Sequence, residues 1–487
     1  MAIHLCRSYC INSDSEMERR MPEDTAPIDT HLAILRDGFT GTILQPNDPG
    51  YDDARRVHNG MIDRHPALIA RCLGTADVVD ALAFGIEHQL QIAVRGGGHN
   101  VAGRAVCDDG LMIDLSLMKG IWVDPERRRV RAQAGVCWAE FNRATQLHGL
   151  ATTGGAVGST GIAGLTLGGG FGYLMGKFGY TVDNLVSVEM VTVEGQVLSA
   201  SEHENAELFW GLRGGGGNFG IVTSFEFALH SVGPIVHGGL IAFEGEDAAK
   251  TLGYLRASAG DADDDMTAVC SMTHAPDGSG RKLAAMLVCH TGGKERAEPV
   301  LSRIRDLAKP TIDHLGPIAY EELNQLLDAG FPKLAMNYWK SCFVADLTDE
   351  IVAILTEQFQ ACPSVMSKLI IECPRGEALR RAPDATAFPH RSRGFSVMIL
   401  SQWQAPADTE INIRWARDTF DKLHPHTVKG GYINYLGDDD MDERVQEVLG
   451  PNFARLQALK DRYDPRNILR LNQNIPPSKS KAVPSSL

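Results

Sequence analysis

The chain has no CxxC pair, no cysteine–histidine pair at zinc spacing and no Walker A string. Structural zinc and P-loop nucleotide sites need ligands or glycines at fixed offsets, so both readings lose their support, and no metal is expected. No apolar run approaches the ~20 residues of a membrane span, and residues 1–24 contain no apolar core of a secretory signal. No Lys/Arg-rich run offsets the net charge of −14, which repels nucleic acid and anionic membranes. The ten cysteines are scattered, and without a secretory signal they are read as reduced, mostly buried thiols of a cytoplasmic protein. Six tryptophans make no evident platform for stacking sugars.

What the chain has in quantity is clustered glycine. Of the 50 glycines, Gly96-Gly97-Gly98, the group from Gly154 to Gly172, and Gly214-Gly215-Gly216-Gly217 all precede residue 232. Gln91-Ile92-Ala93-Val94 reads as a buried strand, so Arg95-Gly96-Gly97-Gly98-His99-Asn100 begins a turn at a strand end. Residues without Cβ let backbone approach a phosphate or a ring closely, and His99 stands at that edge. Gly168-Gly169-Gly170-Phe171-Gly172 superficially resembles a dinucleotide fingerprint. The glycine at about every third position in 154–164 is loop-like, however, and poor for the helix that fingerprint requires. A large, flat or extended cofactor contacted by backbone accounts better for three clusters.

Periodicity predicts helices over 75–90 (with Thr75 as N-cap), 138–148 and 202–212, interleaved with strands over 111–115, 121–124, 130–134, 185–193 and 221–229. The second half reads as strands over 282–289, 368–373, 395–403 and 432–435. Helices are expected over 299–307, with Pro299 in the opening turn, and over 350–359, 408–423 and 452–463. This is an α+β chain, with a substrate domain of an antiparallel sheet backed by helices. At 487 residues two or three domains are expected. The chain divides into a flexible extension (1–30), a cofactor domain (31–232, core about 62–232), a substrate domain (233–440), a segment returning to the first domain (441–477) and a disordered tail (478–487).

Taken together, Val94–Asn100, Gly161–Gly172, Arg213–Val222, Tyr432-Ile433-Asn434-Tyr435, Tyr463–Asn467 and Asn472-Gln473-Asn474-Ile475 resemble the berberine bridge enzyme-like oxidoreductases. These belong to the vanillyl-alcohol oxidase/p-cresol methylhydroxylase (PCMH) flavoprotein class. The resemblance runs from about Pro46 to Pro477. It implies a PCMH-type fold and FAD joined to His99. The residues it implies around FAD are Arg95, Gly96, Gly97, Gly98, His99, Asn100, Gly103, Gly154, Gly155, Val157, Gly158, Ser159, Gly161, Gly164, Leu165, Gly220, Ile221, Val222, Tyr432, Asn434, Asn472 and Asn474. Many members carry a second flavin link from a cysteine. Val157 stands at that position and cannot form a thioether, so His99 is expected to be the only tether. A histidine common in the family is replaced by Leu165, and Thr160 occupies a position where a small residue admits oxygen.

Oxidation of a substrate C–H by flavin usually needs a base for the adjacent O–H or N–H. Tyr432 and Asn434 would share one face of a strand, and Tyr432 is either that base or a tyrosine packed on the cofactor. A tyrosine base needs a neighbouring cation, for which Lys340 and Arg391 are candidates, each with a surface salt bridge as its alternative. His230, His274 and His290 carry no spacing signal, and Asp438-Asp439-Asp440 reads as a solvated turn. The implied function is an FAD-dependent oxidase of a small alcohol, amine or activated ring C–H, using O2, as a monomer or homodimer. A dehydrogenase with another acceptor and a non-catalytic flavin-binding protein are the alternatives.

Overall fold

The computed structural model describes residues 28–260, 263–440 and 442–478. The proposed tail beyond Ser478 and residues 1–27 of the extension lie outside them. The last residues assigned to the extension begin a helix, Ile28–Gly38. The first half is built on two small sheets. In one, Thr42–Leu44, Leu68–Arg71, Leu111–Asp114 and Ile92–Arg95 lie in that order, the last two pairings parallel. In the other, Ile121–Asp124, Arg129–Gln133, Ile221–Ala228, Leu185–Val191 and Val197–Ser201 are antiparallel. One apolar core joins both and takes in Leu456, Leu469 and Ile475, so the C-terminal segment packs back on the first half.

The second half is a nine-stranded antiparallel sheet centred on Met266–His274, Lys368–Glu372, Phe395–Trp403 and Met336–Val344. Alternation along these strands creates two faces. Ala268, Cys270, Leu369, Ile371, Val397 and Ile399 pack under the helices, which include Ala248–Ser258, Asp349–Gln360 and Thr409–Leu423. Val269, Trp339, Ile370 and Met398 face the other way, into a second core shared with Val157 and Tyr173 of the first half. The sheet is therefore a lid with its side chains sorted by parity.

Several expected elements shift for local reasons. The helix at 75 is capped by Gly74, because Thr75 Oγ1 instead donates to Glu189 at 2.8 Å. The helix expected at 202 starts at Ala206, since Ser201 Oγ ties down the amides of His203 and Glu204 and Asn205 is left-handed. Pro299 lies inside Lys294–Arg305 rather than in its opening turn, the polar first turn having no apolar signal. Residues 162–167 of the glycine-rich stretch do form a short helix, Ile162–Leu167. Tyr432–Tyr435 is not a strand but a 3₁₀ turn over Ile433–Tyr435. The eight cysteines among the described residues are all unpaired thiols.

Candidate active site

A long cavity runs between the glycine loops and the sheet. Its first wall is made by Gly96, Gly97, Gly98, His99, Asn100, Val157, Gly161, Gly164, Leu165, Gly220, Ile221 and Val222, with Tyr432, Asn434 and Asn472 closing it. Two glycine loops meet here: a Cβ on Gly161 would lie 2.5 Å from the Gly97 nitrogen, which only glycine avoids. The amides of Gly97, Gly98, His99 and Asn100 find no acceptor among the described residues, and a Cβ on Gly164 or Gly217 would meet open space. Buried carboxamide oxygens of Asn472 and Gln473 also lack partners. Unpaired amides and amide side chains around a Cβ-free cradle suit a phosphate-bearing, ring-containing cofactor, so the residues present fit FAD.

Other expected contacts serve the scaffold. Arg95 turns away to pair with buried Asp114 at 2.9 Å (Nε to Oδ1) and to bond the Ala54 and Arg56 carbonyls. Gly154 and Gly155 lie against the Trp138 indole, Gly158 against Ala139 and Asp328, and Gly103 against Ile62, which leaves them outside the cavity wall. Asn474 is also outside it. Ser159 is not in the wall but touches His99: Nε2 and Oγ are 2.9 Å apart. The His58 ring stacks on His99 with centroids 3.9 Å apart. Burial pushes His99 down to about 3 and His58 to about 4, the nearby Lys333 adding to the second shift, so both rings are neutral near pH 7.

The catalytic assignments need correction. Tyr432 lies in the cavity wall, stacked on Phe171 at 4.3 Å, and its oxygen accepts from the Gly170 amide at 3.0 Å and from Asn434 Nδ2 at 2.9 Å. Its contact with Asn434 thus survives the loss of the strand. Burial nevertheless drives its hydroxyl well above the usual tyrosine value, opposite to the lowering that a base requires, and no cation among the described residues stands beside it to reverse this. Lys340 does not stand beside it. It shares a strand face with Tyr338, on the side away from the cavity, and its ammonium pairs with Asp439 at 3.0 Å and Asp440 at 2.9 Å. The acidic turn is therefore an ion-pair cluster. Arg391 is held by Asp183 at 2.7 and 2.8 Å and lies over the Tyr180 ring, so its charge is already neutralised. None of His230, His274 and His290 lines the cavity.

The sheet wall supplies what the sequence reading missed. Val269, Phe331, Trp339, Ile370, Glu372, Met398 and Tyr435 line it. Glu372 is 8% exposed and is held by Ser396 Oγ at 3.1 Å and Tyr435 Oη at 3.2 Å. Burial outweighs these donors and raises its carboxyl to about 7. Two strand positions away on either side of Ile370, Glu372 and Lys368 share a face. Lys368 Nζ donates to the Gly330 carbonyl at 2.7 Å and lies 4.7 Å from the centroid of the Phe331 ring. No carboxylate pairs with it among the described residues, and burial lowers it to about 8. Neither residue has a motif; only the alternation of Lys368-Leu369-Ile370-Ile371-Glu372, a strand with charge on one face, marked them.

Sequence-family signatures match two parts of the chain: an FAD binding domain over residues 66–201 and a berberine and berberine-like segment over residues 431–476. The (R)-6-hydroxynicotine oxidase of Paenarthrobacter nicotinovorans is 31% identical over 456 residues, covering 90% of this chain and 97% of the relative. An FAD-linked oxidoreductase of Dictyostelium discoideum is 29% identical over 416 residues, 85% of this chain and 89% of its own. Among solved structures, 6-hydroxy-D-nicotine oxidase from Arthrobacter nicotinovorans superposes with a TM-score of 0.82 at 30% identity, covering 90% of this chain and 98% of that one. A berberine bridge enzyme variant shares the fold alone, at 20% identity and a TM-score of 0.82, covering 93% of this chain and 100% of that one. The cradle, the two-layer α+β architecture and these likenesses agree: the chain is an FAD-dependent oxidoreductase of the berberine bridge enzyme-like family.

Proposed function

We propose that the protein is an oxidase of a small aromatic or alicyclic amine or alcohol, with FAD tethered through His99 alone. The observation that carries this reading is a buried carboxylate, Glu372, poised near pH 7 in the cavity lined by the glycine loops. The FAD held there would supply a hydride acceptor for the substrate carbon and a route for those electrons to O2, with hydrogen peroxide as the product. The chain's own groups supply the rest. Glu372 takes the proton from the substrate N–H or O–H as the adjacent carbon is oxidised, and the Tyr435 and Ser396 hydroxyls orient it. Ser159 engages His99 Nε2, which leaves Nδ1 for the cofactor, and the His58 stack fixes the ring plane. Val157 offers no second link.

Lys368 is not itself in the cavity lining, but it shares a strand face with the lining residues Ile370 and Glu372 and lies beside the lining Phe331 ring, and through it we extend the reading to the substrate. Its strand rises ~3.3 Å per residue, so Cα atoms 368 and 372 are separated by roughly 13 Å. A compound with an oxidisable N–H or O–H at one end and an acidic or strongly accepting group at the other suits this span. The walls between, Ile370, Trp339 and Phe331, favour a ring. 6-Hydroxynicotine, named in the enzyme from Paenarthrobacter nicotinovorans, is the first compound to try.

A panel of such compounds, read anaerobically by flavin bleaching and in air by peroxide, tests the proposal. Bleaching followed by rapid reoxidation in air with peroxide is expected. Bleaching that air reverses only slowly overturns the oxidase in favour of a dehydrogenase, and a flavin that no compound bleaches points to a non-catalytic protein.

A further inference from the structure

Remote from the cavity, the first helix, Ile28–Gly38, packs on the helix Thr75–Glu87 and brings three chemically suited groups together. His31 Nδ1 lies 3.2 Å from His88 Nε2 and 3.6 Å from Glu87 Oε1. All three ligand atoms fall within 4.8 Å of one another. We propose that His31, Glu87 and His88 form a binding site for a divalent metal ion of the zinc class.

Three observations carry this independently of the flavin. The first is spacing: ligand atoms around a tetrahedral zinc, at bonds of ~2.0–2.1 Å, lie ~3.3–3.4 Å apart. The separations of 3.2 and 3.6 Å bracket that value, and a small swing of the 64% exposed Glu87 side chain brings the carboxylate in. The second is donor type. Two imidazoles and one carboxylate favour zinc, copper or nickel over magnesium and calcium, and leave a fourth position for water. The third is charge. Glu87 stands in the last turn of its helix, where no basic residue offsets the negative end of the dipole. A cation there relieves both the carboxylate and the helix end.

The rings are held ready. His88 packs on Phe84 with centroids 4.3 Å apart, and the His31 side chain is 17% exposed. Without metal the two imidazoles share one N–H···N bond; ligation requires only that the donor ring shift its proton to its other nitrogen. The bound ion would staple the first helix to the one that leads into the Ile92–Arg95 strand and the His99 loop. A spacing search does not find the site, because His31 and His88 are 57 residues apart.

The test titrates the full chain, without a histidine tag and stripped of metal, with zinc chloride by calorimetry, and follows thermal unfolding in parallel. One equivalent of zinc is expected, with a higher unfolding midpoint, and magnesium chloride should give neither. Affinity should fall at least ~10-fold in His31→Ala and in His88→Ala, with flavin content unchanged as the check on folding. Glu87→Gln, a surface change, should weaken binding by a smaller factor while leaving the fold intact. Absence of a zinc equivalent in the wild type overturns the proposal. So does binding that is unchanged in Glu87→Gln and in either histidine variant.

Discussion

The two walls of the cavity are built on opposite principles. The loop wall works through what is missing: glycines, unpaired amides and the close contact of Gly97 with Gly161. The sheet wall works through what protrudes, since a two-residue period sends Trp339, Ile370, Glu372 and Met398 inward and Tyr338 and Lys340 outward. A backbone cradle holds the part of the chemistry that does not change between substrates. A side-chain wall can be rewritten one alternate position at a time without disturbing the helices behind it. Members of one family can therefore share a cofactor and differ in what they oxidise.

Changes on the two walls should fail differently. Glu372→Gln is the severest test of the sheet wall, with kcat expected to fall by about 10²–10⁴-fold while FAD content stays normal. Because burial raises this carboxyl to about 7, its base form accumulates above that pH, and kcat/KM should rise through pH 7 in the wild type only. The same shift makes native stability fall as pH rises from about 4.5 to 7, so Glu372→Gln should unfold at a higher temperature at pH 8. An inactive variant with unchanged stability would mean that the carboxylate is not buried in the way described here. On the loop wall, Gly161→Ala places a Cβ against the Gly97 backbone, and flavin occupancy should fall by about 10–100-fold. Absorbance of the purified protein reads that directly.

Smaller effects sharpen the contrast. Lys368→Met should raise KM by about 10-fold for a substrate with an acidic distal group, with little change in kcat. Wild-type KM should climb as pH passes about 8, where this lysine loses its charge. Lys340→Ala, on the outward face, should change kcat less than about twofold and act only on stability, since its ammonium serves Asp439 and Asp440.

The same contrast explains how much could be read beforehand. Glycine clusters and a histidine at a strand end are local, so the cradle and His99 were legible from residue types, whereas Val157 and Asn472 were reached only through the family resemblance. Glycines that pack, such as Gly154 against Trp138, look identical in sequence to glycines that admit a ligand; only the tertiary neighbour separates them. On the sheet, function depends on register and on which face the helices cover. Lys340 shares a strand face with Tyr338, and the sequence does not reveal that this face points away from the cavity. Glu372 went unnoticed because a single buried glutamate has no spacing, and its shifted titration arises from long-range burial. The Tyr432 turn was misread as a strand because tyrosine and isoleucine carry β-propensity that the tertiary contacts of Ile433 and Tyr435 override.

The account rests most heavily on His99 as the sole anchor of the flavin. Mass analysis of proteolytic peptides from the denatured holoenzyme tests it in one step. The peptide containing His99 should carry the mass of one FAD, no other peptide should carry flavin, and His99→Ala should release all its yellow colour on acid precipitation. An unmodified His99 peptide in the yellow wild-type protein, or flavin retained covalently by His99→Ala, would contradict it.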